Sequence, residues 1–237
     1  MTVEEAVARL LTGVPRSATW RRAAGEAYGP QHTTGSQPVR RALYCVTVTP
    51  EVEQFFGTRQ YDLLVAHHPF RPTAAIPNIV LHTALDCCAG GLNDLWRDAL
   101  EMEHARPITD NLGWSGRIRP ASFQHLVERV HAFAGGIDGQ CSCRKDRIES
   151  VAVCSGLGGL VAQDAVATGA DLFVTGQLIQ PAARLDCPAV IEMGHTRSER
   201  VGVITIRRLL GRHVQVDVAP LERDYFAGEV FRGARAA

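Results

Sequence analysis

The chain has 237 residues, 46% hydrophobic and 21% charged, a balance suited to a folded globular protein with a substantial core in one large domain or two small lobes. Twenty-five basic side chains balance twenty-five acidic ones with no long block of either sign, which argues against a general nucleic-acid or membrane-surface binder. No apolar run approaches the ~20 residues that span a bilayer, and the seven cysteines, odd in number and preceded by no secretory signal, fit reduced thiols in a cytoplasmic protein.

Residues 2–11 bring Val3, Val7, Leu10 and Leu11 to one face and predict an amphipathic helix with acids in its first turn. Residues 25–38, rich in Gly, Pro, Thr and Ser, read as a loop. Leu43 to Thr49 reads as a strand, and Thr49-Pro50-Glu51 then starts a helix with threonine as N-cap and proline at the first position. Leu63 to Ala66 is a short apolar run with a polar start and a stop at Pro69, the pattern of a buried strand. Strand, helix, strand begins a βαβ unit. His67 and His68 sit where the second strand ends. Neighbouring side chains on a strand point to opposite faces, so one metal rarely takes both unless the chain turns at Pro69, whereas two adjacent metals could each take one. A His-His-Pro is also ordinary loop chemistry.

Residues 79–86, Ile-Val-Leu-His-Thr-Ala-Leu-Asp, read as a second short strand ending in His82 and Asp86. Gly90-Gly91 opens a helix through Leu92, Leu95, Trp96 and Leu100, and residues 106–120 form a polar connection. Ser122 caps a helix with Phe123, Leu126, Val127, Val130 and Phe133 on its apolar face. The loop-like stretch 135–147 is a natural boundary, dividing the chain into an N-terminal lobe, 1–134, and a C-terminal lobe, 135–237. Val151-Ala152-Val153 reads as a strand, the Ser-Gly-Leu-Gly-Gly at 155–159 as a turn into a helix, and Leu172-Phe173-Val174 and residues 188–191 as further strands. The alternation of Val214, Val216 and Val218 predicts a half-buried strand.

Gly-His-Thr-Arg-Ser-Glu at 194–199 places His195 and Glu199 four apart, on one face of a helix. Together His67, His68, Asp86, His195 and Glu199 make three imidazoles and two carboxylates, suited to zinc, iron, manganese or nickel rather than calcium. Five ligands are too many for one catalytic zinc with an open position and suit two ions bridged by a carboxylate and a water. Each residue also has a plainer reading. Thr196-x-x-Glu199 fits a capping box, and Asp86 fits a helix start. His82 either hydrogen-bonds a ligand or substrate beside the metals or is a satisfied core histidine. His32, His104, His125, His131 and His213 have no partner pattern and read as surface or structural. The glycine-rich turn resembles a phosphate cradle but lacks a following Gly-Lys-Ser or Gly-Lys-Thr, which favours a tight turn. Cys141-x-Cys143 lacks the companions of a zinc ribbon, and Cys87-Cys88 reads as packing beneath Asp86.

HHP, HTALD, SGLGG after a strand, ADLFVTG and GHTRSE, in that order over roughly residues 40–237, resemble the YbgI-like family, also known as GTP cyclohydrolase 1 type 2-like or Nif-three-like proteins. The expected fold is α/β: two similar lobes of mixed sheet flanked by helices, in a single compact unit with the metal site in the cleft between them. Longer relatives carry an inserted middle domain, for which this length leaves no room. The resemblance implies a toroidal homohexamer and two divalent ions per chain, with His67 and His195 on one, His68 and Asp86 on the other, and Glu199 bridging. It also implies a dinuclear metal-dependent hydrolase acting on a nucleotide-like or heterocyclic small molecule through a metal-bridging hydroxide, with Glu199 and His82 as the catalytic groups. No nucleic-acid or membrane partner is expected. Relatives commonly have an aspartate where Thr47 stands, and read TGD with a histidine four residues later where this chain has Thr175-Gly176-Gln177 and Pro181. That loss keeps open a metal-handling protein without turnover, or a hexameric scaffold.

Overall fold

The computed structural model of the chain describes residues 1–23, 25–32, 36–68, 76–178, 181 and 185–220. Among them the elements run α1 (Val3–Gly13), β1 (Gly29–His32), β2 (Arg41–Thr47), α2 (Pro50–Thr58), β3 (Leu63–His68), β4 (Asn78–Val80), α3 (His82–Cys87), α4 (Leu92–Ala99), β5 (Glu103–Ile108) and β6 (Gly113–Ser122). There follow α5 (Phe123–Ala134), β7 (Cys141–Cys143), β8 (Arg147–Leu157), α6 (Ala162–Ala167), β9 (Leu172–Gln177), β10 (Ala189–Glu192), α7 (His195–Arg200), α8 (Val203–Leu210) and β11 (Gln215–Val218). The chain divides into two units, each built on its own mixed sheet flanked by helices.

The first unit takes Met1–Leu92 and Gly202–Glu222. Thr2 and Glu5 close a capping box at the start of α1, which buries Val3, Ala6, Val7 and Leu10. The sheet order is β1-β4-β3-β2-β11, with β1 antiparallel to β4 and the other pairs parallel. Helix α2 is the crossover from β2 to β3; Thr49 accepts from Val52 N, and Pro50 supplies the first residue. Val52 and Phe56 pack it against Leu43, Cys45, Leu64 and Ala66. Register pairs Leu43 with Leu64, Cys45 with Ala66 and Thr47 with His68, so these residues share the face that α2 covers, while Leu63, Val65 and His67 point the other way.

Three expectations change here. The strand read over 79–86 stops at Val80, and HTALD forms α3. Leu81 provides no side-chain cap, and Glu26 Oε1 instead accepts from Thr83 N (3.1 Å). A residue far away in sequence thus satisfies the helix start, which no local pattern could reveal. Strand β1 lies in the stretch read as loop; its Gly-Pro-Gln-His sequence has little strand preference and owes its form to the edge ladder with β4. Strand β11 returns to lie parallel to β2, so the first unit is discontinuous and the division does not fall at residues 134/135.

The second unit comprises the described residues of Asn93–Val201. Its sheet order is β5-β6-β8-β9-β10-β7, parallel only where β9 pairs with β8 and β10. The polar connection expected over 106–120 is largely the β5–β6 hairpin, turned through Thr109, Asp110 and Asn111 at φ 48°, 54° and 72°. Asp and Asn tolerate that left-handed region better than most residues. Ser122 caps α5 by accepting from His125 N, and Gly135 ends it at φ 72°. Strand β7 interrupts the loop read over 135–147, and β8 runs on through Ser155-Gly156-Leu157. No helix of the described residues is long and apolar enough to cross a membrane.

Candidate metal centre

His67 and His68 both lie within β3 and are buried, at 0% and 4% exposure. Pro69, read as the turn that follows, lies outside the described residues. Their ring centroids are 4.8 Å apart, and the ring of His82, from the start of α3, lies 5.3 Å from His67 and 5.2 Å from His68. The three imidazoles offer donor atoms within 4.8 Å of one another. Asp86, one turn after His82 on α3, brings Oδ2 to 3.6 Å from His67 Nε2. Thr47 Oγ1 lies 3.0 Å from His68 Nδ1. Asp86 thus sits beside His67, whereas the resemblance places it on one ion with His68. Strand alternation explains it, since His68 shares a face with Thr47 and His67 points to the other. The contact also gives Thr47 a role that the sequence alone did not reveal.

Glu26 is a second residue that sequence reasoning missed. Its carboxylate accepts from Thr83 N and from Thr83 Oγ1 (2.6 Å), and Oε2 lies 2.7 Å from His82 Nδ1. Burial alone would push this carboxyl up, but His82 and Thr83 outweigh it and hold it below its ordinary value. The only signal in the sequence was an acid standing in a Gly/Pro-rich stretch.

In the second unit, α7 carries His195 and Glu199, both buried, with His195 Nε2 3.1 Å from Glu199 Oε1. The N-cap is Gly194 at φ 100°, with no side-chain cap, so Thr196 lies inside the helix and the capping-box reading of Glu199 fails. The glycine-rich turn packs against the same helix. Gly156 N donates to Ser198 Oγ (2.9 Å), Ser198 Oγ donates to His195 O (2.6 Å), and Trp96 Nε1 donates to Ser198 O (2.9 Å). A Cβ on Gly156 would lie 2.3 Å from Glu199 Oε1, and its φ is +61°. The glycine thus serves close approach of the turn to the Glu199 carboxylate. Gly156→Ala is expected to lose about 1–3 kcal/mol of stability, from the left-handed backbone and the displaced glutamate. Chemical denaturation measures the loss, which an unstrained site would not show.

The remaining candidates separate clearly. His32, His104, His125, His131 and His213 are exposed. None of the seven cysteines is joined in a disulfide. Burial, reinforced by the charge of Asp86, pushes the Cys87 thiol far up, which makes it a poor nucleophile. Cys141 and Cys143 are exposed on β7. Gln177 ends β9 with Oε1 buried and without a hydrogen-bond partner among the described residues, and Pro181 is exposed.

Buried imidazole nitrogens gathered with carboxylate oxygens match the donor preference of divalent transition ions, so these residues fit a metal. The class defined is an α/β chain of two mixed-sheet units with buried histidine and carboxylate clusters that could hold a metal ion. The profile of Duf34/NIF3 (NGG1p interacting factor 3) matches residues 71–224, and the chain belongs to that family. The GTP cyclohydrolase 1 type 2 homolog of Lactococcus lactis subsp. lactis is 30% identical over 181 residues, 65% of this chain and 70% of the relative. A Bacillus cereus protein related to NIF3 superposes with a TM-score of 0.77 at 17% identity, over 95% of this chain and 98% of that one. Reduced HcgD from Methanocaldococcus jannaschii gives 0.75 at 21% identity, over 92% and 97%. At such identities the solved structures show the shared fold.

Proposed function

We propose that this chain is a metal-dependent hydrolase acting on a nucleotide-like or heterocyclic substrate. The observation that carries the reading is the set of buried His67, His68 and Asp86 with half-buried His82 in the first unit, too rich in donors for a packing role alone. His67, His68, Asp86, His195 and Glu199 would together hold two divalent ions of the zinc, iron, manganese or nickel kind. Such a pair, when bound, supplies Lewis-acid polarisation and brings the acidity of water towards neutral pH. The chain's own groups orient that chemistry: Thr47 holds the ring of His68 and Asp86 neighbours that of His67. His82, with 27% of its side chain exposed, is the member of the donor set that a substrate can reach. The name of the Lactococcus lactis relative supports a purine nucleotide as the first substrate to try.

Metal handling without turnover is the second reading. Gln177, neutral where the family resemblance leads one to expect an acid, supports it. One paired assay separates the two. Metal-loaded protein is offered nucleotides, phosphoesters and amides, with and without chelator, while metal content is measured. Turnover that vanishes on chelation and returns with metal is the expected result. Tight metal binding with no turnover over the whole panel would reject the hydrolase in favour of metal handling. Seven cysteines without a disulfide support a reducing, cytoplasmic setting. Homohexameric assembly belongs to the same proposal, and a scaffold role is its third reading; light scattering of the purified chain gives the oligomeric state.

A further inference from the structure

We propose that Glu26 is the positioning residue of His82: its carboxylate keeps the imidazole proton on Nδ1 and leaves Nε2 as a lone-pair donor in the company of His67 and His68. The inference rests on the metal-site reading above and adds to it the residue that orients the third imidazole.

Glu26 lies outside every motif, yet its side chain is only 8% exposed and all its contacts lead to two adjacent residues. A buried carboxylate is costly unless its oxygens are engaged. Oε1 is taken by the backbone N–H and the hydroxyl of Thr83, which fixes the carboxylate plane over the first turn of α3. Oε2 is thereby left 2.7 Å from His82 Nδ1. The contact is close without being a hydrogen bond in line with the ring N–H; a carboxylate beside Nδ1 still favours the tautomer with the proton on that nitrogen, which leaves the free lone pair on Nε2. The His82 backbone also stands at φ +27°, an unfavourable setting for a residue with a Cβ, and the clamp across residues 82 and 83 holds it there. Carboxylate, histidine and donor atom in sequence is how metal-binding imidazoles are commonly held. The competing view is that Glu26 only caps α3.

Glu26→Gln separates the two views. The side chain has the same shape but one oxygen, and Thr83 N–H requires that oxygen. The amide NH2 must then face His82 Nδ1 and donate to it, which moves the imidazole proton to Nε2. The cap survives and the free lone pair at Nε2 is lost. Long-range proton–nitrogen correlation on metal-free protein at about pH 8, above the ordinary imidazole pKa, reads the tautomer. The expected result is Nδ1–H for His82 in the wild type and Nε2–H in Glu26→Gln, with zinc affinity lowered about 10–100-fold. Thr83→Val, which removes the hydroxyl but leaves the Glu26–His82 contact, should keep the wild-type tautomer. An Nε2–H tautomer in the wild type overturns the proposal without any variant. Unchanged zinc affinity in a Glu26→Gln protein whose tautomer has switched would show that Nε2 does not serve the donor set, and overturns it too. Should the wild type bind no zinc, the dinuclear reading fails, while the tautomer still judges the role of Glu26.

Discussion

Replacing His67 or His68 with alanine is expected to remove about one divalent ion per chain in each case, from a wild type that holds about two. The two residues are adjacent on β3, so their side chains leave the strand on opposite faces, and each has its own companion: Thr47 for His68, Asp86 for His67. Donor atoms of both rings lie within 4.8 Å of one another, so the ion count in the two variants, and not the strand geometry, decides between one shared ion and two. The fold should survive either change. The variant removes a polar group from a buried polar cluster, and the cost should resemble that of an ordinary large-to-small core change, about 2–5 kcal/mol. Asp86→Asn should weaken the same ion as His67→Ala, so the double variant should lose little more than either single one. Elemental analysis after dialysis against a fixed free-metal concentration decides. A well-loaded wild type with one ion or none ends the dinuclear reading. Loss of the same ion from His68→Ala and Asp86→Asn would undo the assignment of Asp86 to His67.

What the sequence made legible was local. Thr2 with Glu5, Thr49 with Pro50, and Ser122 mark the starts of α1, α2 and α5, because a cap is written within four residues of the helix it begins. The motifs likewise named His67, His68, His82, Asp86, His195 and Glu199, and each unit gathers its own share of them. Features set by distant partners were not legible. Helix α3 starts at His82 because Glu26 satisfies it, and the Thr47–His68 contact follows from the register of β2 on β3. Strand β11 pairs with β2 across most of the chain length, which no periodicity announces. The β5–β6 hairpin escaped for another reason. β5 has no buried residue, so it shows no apolar alternation, although Thr109-Asp110-Asn111 did carry turn chemistry.

Glu199→Gln is expected to weaken both ions at once and to abolish any metal-dependent activity. The substitution keeps the shape of the side chain and a group able to hydrogen-bond His195 Nε2, now 3.1 Å from the carboxylate. What it removes is the negative charge and one of two equivalent oxygens, the two properties a bridging ligand needs to hold two cations. The capping role that would have tolerated glutamine is excluded, since the N-cap of α7 is Gly194 and the helix takes no side-chain cap. The residue is nevertheless buried, at 2% exposure, with Oε1 close against Gly156. Glu199→Gln should therefore lose more metal than His68→Ala at the same pH and free-metal concentration, with far-ultraviolet circular dichroism unchanged. A Glu199→Gln protein that keeps both ions and full activity, beside a His68→Ala protein that loses one, would mean that Glu199 serves only His195, and the bridged pair would have to be abandoned.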